Sequence, residues 1–167
     1  IDRINDTQSN PTPELGQIES TNPCGEQPLL PWEPCNLASI NIAKFVRGEI
    51  TKATFDFDAL EGVVKTVIRF LDNVIEINNY PLAEIEKMAK TNRRIGLGVM
   101  GESQMIAEAG IVWGSSDHLK KIDSIMEAVS YNAIDSSANI AKEKGIYPTF
   151  EGSKWSKGIM PMDHATP

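Results

Sequence analysis

The stretch Asn22-Pro23-Cys24-Gly25-Glu26-Gln27-Pro28-Leu29-Leu30-Pro31-Trp32-Glu33-Pro34-Cys35 constrains this chain more than any other. Each proline ring fixes its own φ and removes a backbone donor, so Pro23, Pro28, Pro31 and Pro34 leave the segment few shapes. Cys24 and Cys35, which begin and end the proline-rich interval, are the two cysteines of the protein. Such a segment reads as a stiff loop that presents a thiol. A carboxamide, Asn22, stands two residues before Cys24, and a carboxylate, Glu26, two residues after it.

A chain of 167 residues that is 41% apolar has the material for one domain with a real core. Its formal net charge of −7, with acids and bases interspersed, supplies no basic face for nucleic acid or for an anionic membrane. No apolar run has transmembrane length and no signal peptide opens the chain, so the expected compartment is the cytoplasm. Two cysteines without a secretory signal argue for thiols with chemistry rather than for a disulfide scaffold. The chain starts at Ile1 and stops at Ala165-Thr166-Pro167, just after the apolar run Gly158-Ile159-Met160-Pro161-Met162, and reads as an excerpt from a longer polypeptide.

Residues 1–16, rich in Asn, Pro, Thr and Asp, read as a surface loop. Gln17-Ile18-Glu19-Ser20 reads as a short strand leading into the cysteine loop, and the alternation in Leu37-Ala38-Ser39-Ile40-Asn41-Ile42 as a half-buried strand leading out. A long helix follows from Asp56 or Asp58 to about Asn79, burying Leu60, Val63, Val64, Val67, Phe70, Leu71, Val74 and Ile75. Leu82 to about Lys90 is a shorter helix, residues 94–99 a glycine-bearing strand or loop, and residues 102–109 a helix stopped by Gly110. A second long helix starts near Ser116 as N-cap and runs to Lys144, with Leu119, Ile122, Met126, Val129, Ala133 and Ile140 on one face and Gly145 as stop. The tail, residues 147–155, reads as a packed loop. This order of elements belongs to the α/β class.

The cysteine loop can combine a sulfur-centred reactive atom, an acceptor for a substrate hydroxyl proton and a neutral hydrogen-bonding group. Glu26 tends to keep the Cys24 thiol protonated by like-charge repulsion, which suits hydrogen-atom chemistry better than thiolate attack. The same residues also fit ordinary buried cysteines in a tight loop. A metal site is disfavoured, because only His118 and His164 could complete a ligand set and neither has ligand spacing. Gly96-Leu97-Gly98-Val99-Met100-Gly101 has the form of a dinucleotide-binding turn, but Lys90-Thr91-Asn92-Arg93-Arg94 before it is polar where that fingerprint needs a buried strand. Glycines that let a strand approach a neighbouring helix closely are the simpler reading. Arg93-Arg94 and Lys87-Lys90 could bind phosphate, yet such clusters are usually solvated. His118, Trp32, Trp113 and Trp155 read as packing or capping residues.

Residues 22–31, then Cys35-Asn36-Leu37-Ala38-Ser39-Ile40-Asn41-Ile42, closely resemble the active-site loop of the adenosylcobalamin-dependent (class II) ribonucleotide reductases. The resemblance continues through Asn92-Arg93-Arg94-Ile95-Gly96-Leu97-Gly98-Val99-Met100-Gly101 to Phe150-Glu151-Gly152-Ser153-Lys154-Trp155, and the short interval between Cys24 and Cys35 looks like class II. Ala38 stands where the family usually has glycine, and Glu102-Ser103-Gln104 replaces a more apolar segment. The resemblance implies that residues 1–167 are part of a single ten-stranded α/β barrel, with residues 20–35 as its finger loop. It also implies that a radical generated from adenosylcobalamin makes Cys24 a thiyl radical, which removes the ribose 3′-hydrogen of a ribonucleoside di- or triphosphate. Glu26 is then the base for the 3′-hydroxyl, Asn22 orients the substrate, and Cys35 is half of a redox dithiol whose partner lies outside this chain. The implied partners are the substrate, a thioredoxin-type reductant and the remainder of the reductase, natural truncation and one chain of a split enzyme both being open; neither nucleic acid nor membrane is expected. Cofactor-contacting residues are not assigned.

Overall fold

A computed structural model describes residues 4–23, 25 and 27–159. Cys24, Glu26 and His164 lie outside the described residues. The described chain divides into two compact units, one made of Ile1–Asn36, Val74–Gly96 and Gly145–Pro167, the other of Leu37–Asn73 and Leu97–Lys144.

In the first unit, the segment expected to be a surface loop is mostly exposed, as expected, and is held by two buried polar residues, Asn10 and Thr12. It forms a short helical turn at Asn5–Ser9 and another at Pro13–Leu15. Asn10 is 1% exposed; its Nδ2 donates to the Gly16 carbonyl at 2.9 Å and its Oδ1 accepts from the Thr12 N–H at 3.0 Å. Turn-forming Asn and Asp favour such short-range bonds to backbone, and here they replace an apolar core rather than mark a solvated strand end. The tail closes over this segment, with Lys154 N–H donating to Pro11 at 2.8 Å and Lys154 Nζ to Thr7 at 2.5 Å. Tyr147 and Phe150 meet edge to face, 5.6 Å between centroids, and Ser153 is buried. The tail is therefore the packed loop expected.

Strand β1 (Ser20–Thr21) pairs antiparallel with β2 (Pro28–Leu29), Ser20 opposite Leu29 and Thr21 opposite Pro28. The strand expected at residues 17–20 is thus two residues long and displaced toward the loop.

The second unit has the apolar core. Strand β3 (Asn36–Asn41) pairs with β6 (Ile95–Met100), and β4 (Val46–Arg47) with β5 (Thr54–Phe55). Helix α1 (Phe57–Ile77) is capped by Asp56, whose Oδ1 accepts from the Ala59 N–H at 3.0 Å. It buries Leu60, Val64, Ile68 and Leu71, whereas Val63 and Phe70, expected in the core, are exposed. The helix carries two adjacent apolar stripes, and packing selects the one spaced by three and four residues from Leu60. Helix α2 (Ala83–Asn92) belongs to the first unit.

Helix α3 (Glu102–Glu108) buries Met105 and Ile106 against the helical turn Ile42–Phe45, whose Ile42, Ala43 and Phe45 are buried too. Helix α4 (Ser116–Lys144) starts one residue later than its cap: Ser115 Oγ accepts from the His118 N–H at 3.2 Å, so Ser115 rather than Ser116 is the N-cap. Its buried face is His118, Ile125, Val129, Ser136 and Ile140, with Leu119 64% exposed. Val129 and Ile140 are buried as expected and Ile122, Met126 and Ala133 are half-buried, whereas Leu119 is not; Ser136, whose hydroxyl donates to the Asn132 carbonyl at 2.5 Å, tolerates burial. Arg69 of α1 reaches Glu143 of α4 at 2.7 Å, and Lys144 reaches Asp72 at 2.5 Å.

Candidate active site

The loop joining β1 to β2 spans residues 22–27 and is closed by Asn22. Its backbone N–H donates to the Gln27 carbonyl at 3.2 Å, while its side-chain Oδ1 accepts from the Gln27 N–H at 2.9 Å. The Asn22 carbonyl also accepts from the Gly25 N–H at 3.0 Å. Gly25 has φ 81, a left-handed conformation that a side chain would strain. Asn22, predicted to orient substrate, therefore spends its carboxamide oxygen on the loop itself; a ligand would meet the NH₂ end.

Cys35 is half-buried, and its thiol lies 3.4 Å from the Asn36 carbonyl. The residues just before it form a tight turn. Glu33 N–H donates to the Leu30 carbonyl at 3.0 Å, with Pro31 and Trp32 at the two central positions. Trp32 has φ 63, which the second central position of a type II turn requires and which glycine would meet without strain. It is 59% exposed, so it is not the packing residue expected.

The Glu33 side chain, wholly buried, holds this turn from the inside. Its Oε2 accepts from the Leu30 N–H at 2.9 Å and from Arg94 Nη2 at 3.0 Å. Its Oε1 accepts from Arg94 Nε at 2.9 Å and Asn92 Nδ2 at 2.8 Å. Asn92 Oδ1 in turn accepts from Thr149 Oγ1 at 2.8 Å. A buried carboxylate persists only when paired and saturated with donors, and four donors do that here. Arg94, with its side chain 13% exposed, is thus no solvated cation, correcting the surface reading of Arg93-Arg94. Arg93 takes the left-handed position after α2, φ 50, and pairs with Glu76. Nothing in the sequence pattern singles out Glu33. The available signal was an acid inside a Pro-Trp-Glu-Pro turn, with a paired asparagine and arginine flanking a helix end.

Beside this turn a cleft of about 550 Å³ opens, lined in part by Thr21, Leu29, Trp32, Glu33 and Ile85. Among the described residues no three His, Cys, Asp or Glu side chains converge as a metal site. No described helix is long and apolar enough to cross a membrane.

The glycine motif is not a phosphate cradle. Gly96 and Gly98 lie inside β6, not at its end, and Gly98 faces Ser39 of β3. Gly101, φ 78, sits where a Cβ would stand 2.1 Å from Asn41 Oδ1. That oxygen instead accepts from the Ala43 N–H at 3.2 Å, capping the turn that starts at Ile42. At Gly98 a Cβ would make only ordinary contact, whereas Gly101 is where a side chain is excluded, and there the neighbour is Asn41 of β3 and not the helix expected. Nearby, Glu102 Oε1 lies 2.8 Å from His118 Nε2, and His118 Nδ1 accepts from the Gly114 N–H at 2.9 Å. With Nδ1 an acceptor, a neutral ring carries its proton on Nε2 and donates it to Glu102. The ring also packs on Trp113, 4.4 Å between centroids, so His118 has the packing and capping role expected of it, whereas Trp113 is as exposed as Trp32 and covers that ring from outside.

The whole chain, residues 1–167, matches the family described as ribonucleotide reductase, barrel domain. The chain belongs to that family. Among its relatives, the ribonucleoside-diphosphate reductase subunit alpha of Helicobacter pylori is 54% identical over 131 residues, 78% of this chain and 16% of the relative. The vitamin B12-dependent ribonucleoside-diphosphate reductase of Thermoplasma acidophilum is 42% identical over 166 residues, 99% of this chain and 21% of the relative. The protein of the same name from Mycobacterium tuberculosis is 40% identical over 157 residues, 94% of this chain and 22% of the relative. The reductase-family chain therefore spans about a fifth of the length of these relatives. The mixed strands and helices agree with an α/β domain; the described strands form three two-stranded ladders.

Proposed function

We propose that this chain contributes the thiol loop of a ribonucleotide reductase, acting in the polypeptide of which it is a part. The observation that supports the reading is the β1–β2 hairpin closed by Asn22 and Gln27, in a chain of this family whose sequence carries Cys24 and Glu26 between those two residues. The names of the relatives support a ribonucleoside diphosphate as substrate.

In this reading, Cys24 as a thiyl radical removes the ribose 3′-hydrogen, while Glu26 takes the 3′-hydroxyl proton. The 2′-hydroxyl leaves as water after protonation. Cys35 and a second thiol beyond this chain supply two electrons and end as a disulfide, and Cys24 returns the hydrogen to C3′. A thioredoxin-type reductant then reopens the disulfide. The complete domain is a ten-stranded barrel with residues 20–35 as its finger loop, working in the cytoplasm.

Adenosylcobalamin as the radical source is supported by the names of two relatives and by the short interval from Cys24 to Cys35. The residues that would hold it are assigned to the rest of the polypeptide.

The test is deoxynucleotide formation by the full-length protein supplied with a ribonucleoside diphosphate, a dithiol and adenosylcobalamin. Cys24→Ala is expected to abolish turnover, a loss of at least about 10³-fold, and Cys35→Ser to block product formation. Normal product formation by the Cys24→Ala protein would overturn the reading.

A further inference from the structure

The buried carboxylate of Glu33 does something that a stabilising ion pair alone does not. It lies on the segment between β2 and Cys35, and it bonds to both sides of that segment at once. Oε2 reaches back to the Leu30 N–H, the residue after β2, both oxygens reach Arg94 just past α2, and Oε1 also reaches Asn92, the last residue of that helix. Only one residue separates Glu33 from Cys35, and that residue is Pro34. The turn it spans contains Trp32 in a left-handed conformation, which an unanchored turn would relax.

We propose that Glu33, clamped by Arg94 and Asn92, is a positioning residue that fixes the Cys35 segment relative to the returning arm of the hairpin that carries Cys24. The proposal rests on the reductase reading, in which the radical thiol and the reducing thiol serve one substrate. The planar Arg94 fork meets both carboxylate oxygens, so the carboxylate can neither rotate nor slide, and lysine cannot reproduce the geometry. Thr149 fixes the amide of Asn92 and thereby extends the clamp into the tail. An error of about 1 Å in the placement of a reacting group can cost about 10²-fold in rate.

The experiment uses the full-length protein and compares wild type with Glu33→Gln, Arg94→Lys and the double variant Glu33→Leu/Arg94→Met. Amide hydrogen exchange at Leu30 and Gln27 is expected to quicken about 10-fold or more in all three, with Val129 and Ile140 of α4 unchanged. Turnover is expected to fall about 10- to 100-fold with KM held within about 3-fold. In the double variant, apolar side chains replace the pair and thermal stability recovers toward wild type, but exchange stays fast and kcat stays low. Recovery of kcat together with stability would make the pair merely structural and overturn the proposal. Unchanged exchange at Leu30 and Gln27 in Glu33→Gln would overturn it as well. If wild type itself makes no deoxynucleotide, the reductase reading fails, and the exchange arm still decides whether the clamp exists.

Discussion

In the unit that carries the cysteine loop, the side chains most completely removed from water include Asn10, Glu33 and Ser153, beside apolar Leu30 and Ile75, whereas the helical unit hides Ile42, Leu60, Leu71, Met105 and Ile125. The two solve different problems. An apolar core is non-directional and tolerates adjustment, while a saturated polar network fixes distances and angles because each donor has one good direction. A loop that must hold a reactive thiol to within a fraction of an ångström gains from the second kind of interior. A scaffold of long helices gains from the first.

The comparison breaks most sharply at Arg94. Arg94→Met leaves the Glu33 carboxylate buried without its charge partner and is expected to destabilise the full-length protein by about 3–5 kcal/mol, read by urea denaturation. The Glu33→Leu/Arg94→Met double variant should recover most of that loss, which no apolar core site would do. In the helical unit, Leu71→Ala removes a side chain that is 1% exposed, and the expected cost is about 2–5 kcal/mol. Here a second substitution that refills the volume, and not one that removes a partner, is what restores stability.

The smallest effect belongs to the exposed pair that joins the two long helices of the second unit. A hydrogen bond from Arg69, then its charge, holds the Glu143 carboxyl below its ordinary value of 4.5. A depressed carboxylate pKa adds stability that is present above the unfolded value and fades as pH falls through the folded one. Thermal scans from pH 7 down to pH 3 should therefore show a slightly shallower loss for Glu143→Gln than for wild type, and salt should erase the difference.

Much of the helical unit was legible from pattern. Asp56 as a cap, Gly145 as a stop and apolar residues at three- and four-residue spacing located both long helices to within a few residues. Their faces were less legible. Val63 and Phe70 are as apolar as Val64 and Leu71, and no local rule says which stripe meets a partner. His118 and Ser136 are polar by type yet buried, because each finds its bonds within a few residues or on Glu102. For the candidate site, residue types at short spacing point to Asn22, Cys24, Glu26 and Cys35; Cys24 and Glu26 lie outside the described residues, and only Asn22 and Cys35 have geometry to report.

The sequence by itself determined that a thiol stands between a carboxamide and a carboxylate in a proline-rich stretch, that two long amphipathic helices follow, and that the chain resembles a radical reductase. Those facts are local, fixed by the φ restrictions of proline, by capping chemistry and by helical periodicity. Only the tertiary structure decided how the Cys35 end of that loop is held. Glu33 and Arg94 are separated by sixty residues of sequence, and their bond exists because α2 ends where the Leu30–Glu33 turn passes. A contact between distant residues has no period and no spacing to read, so the fold alone turns an acid in a proline-rich loop into an anchor for the cysteine beside it.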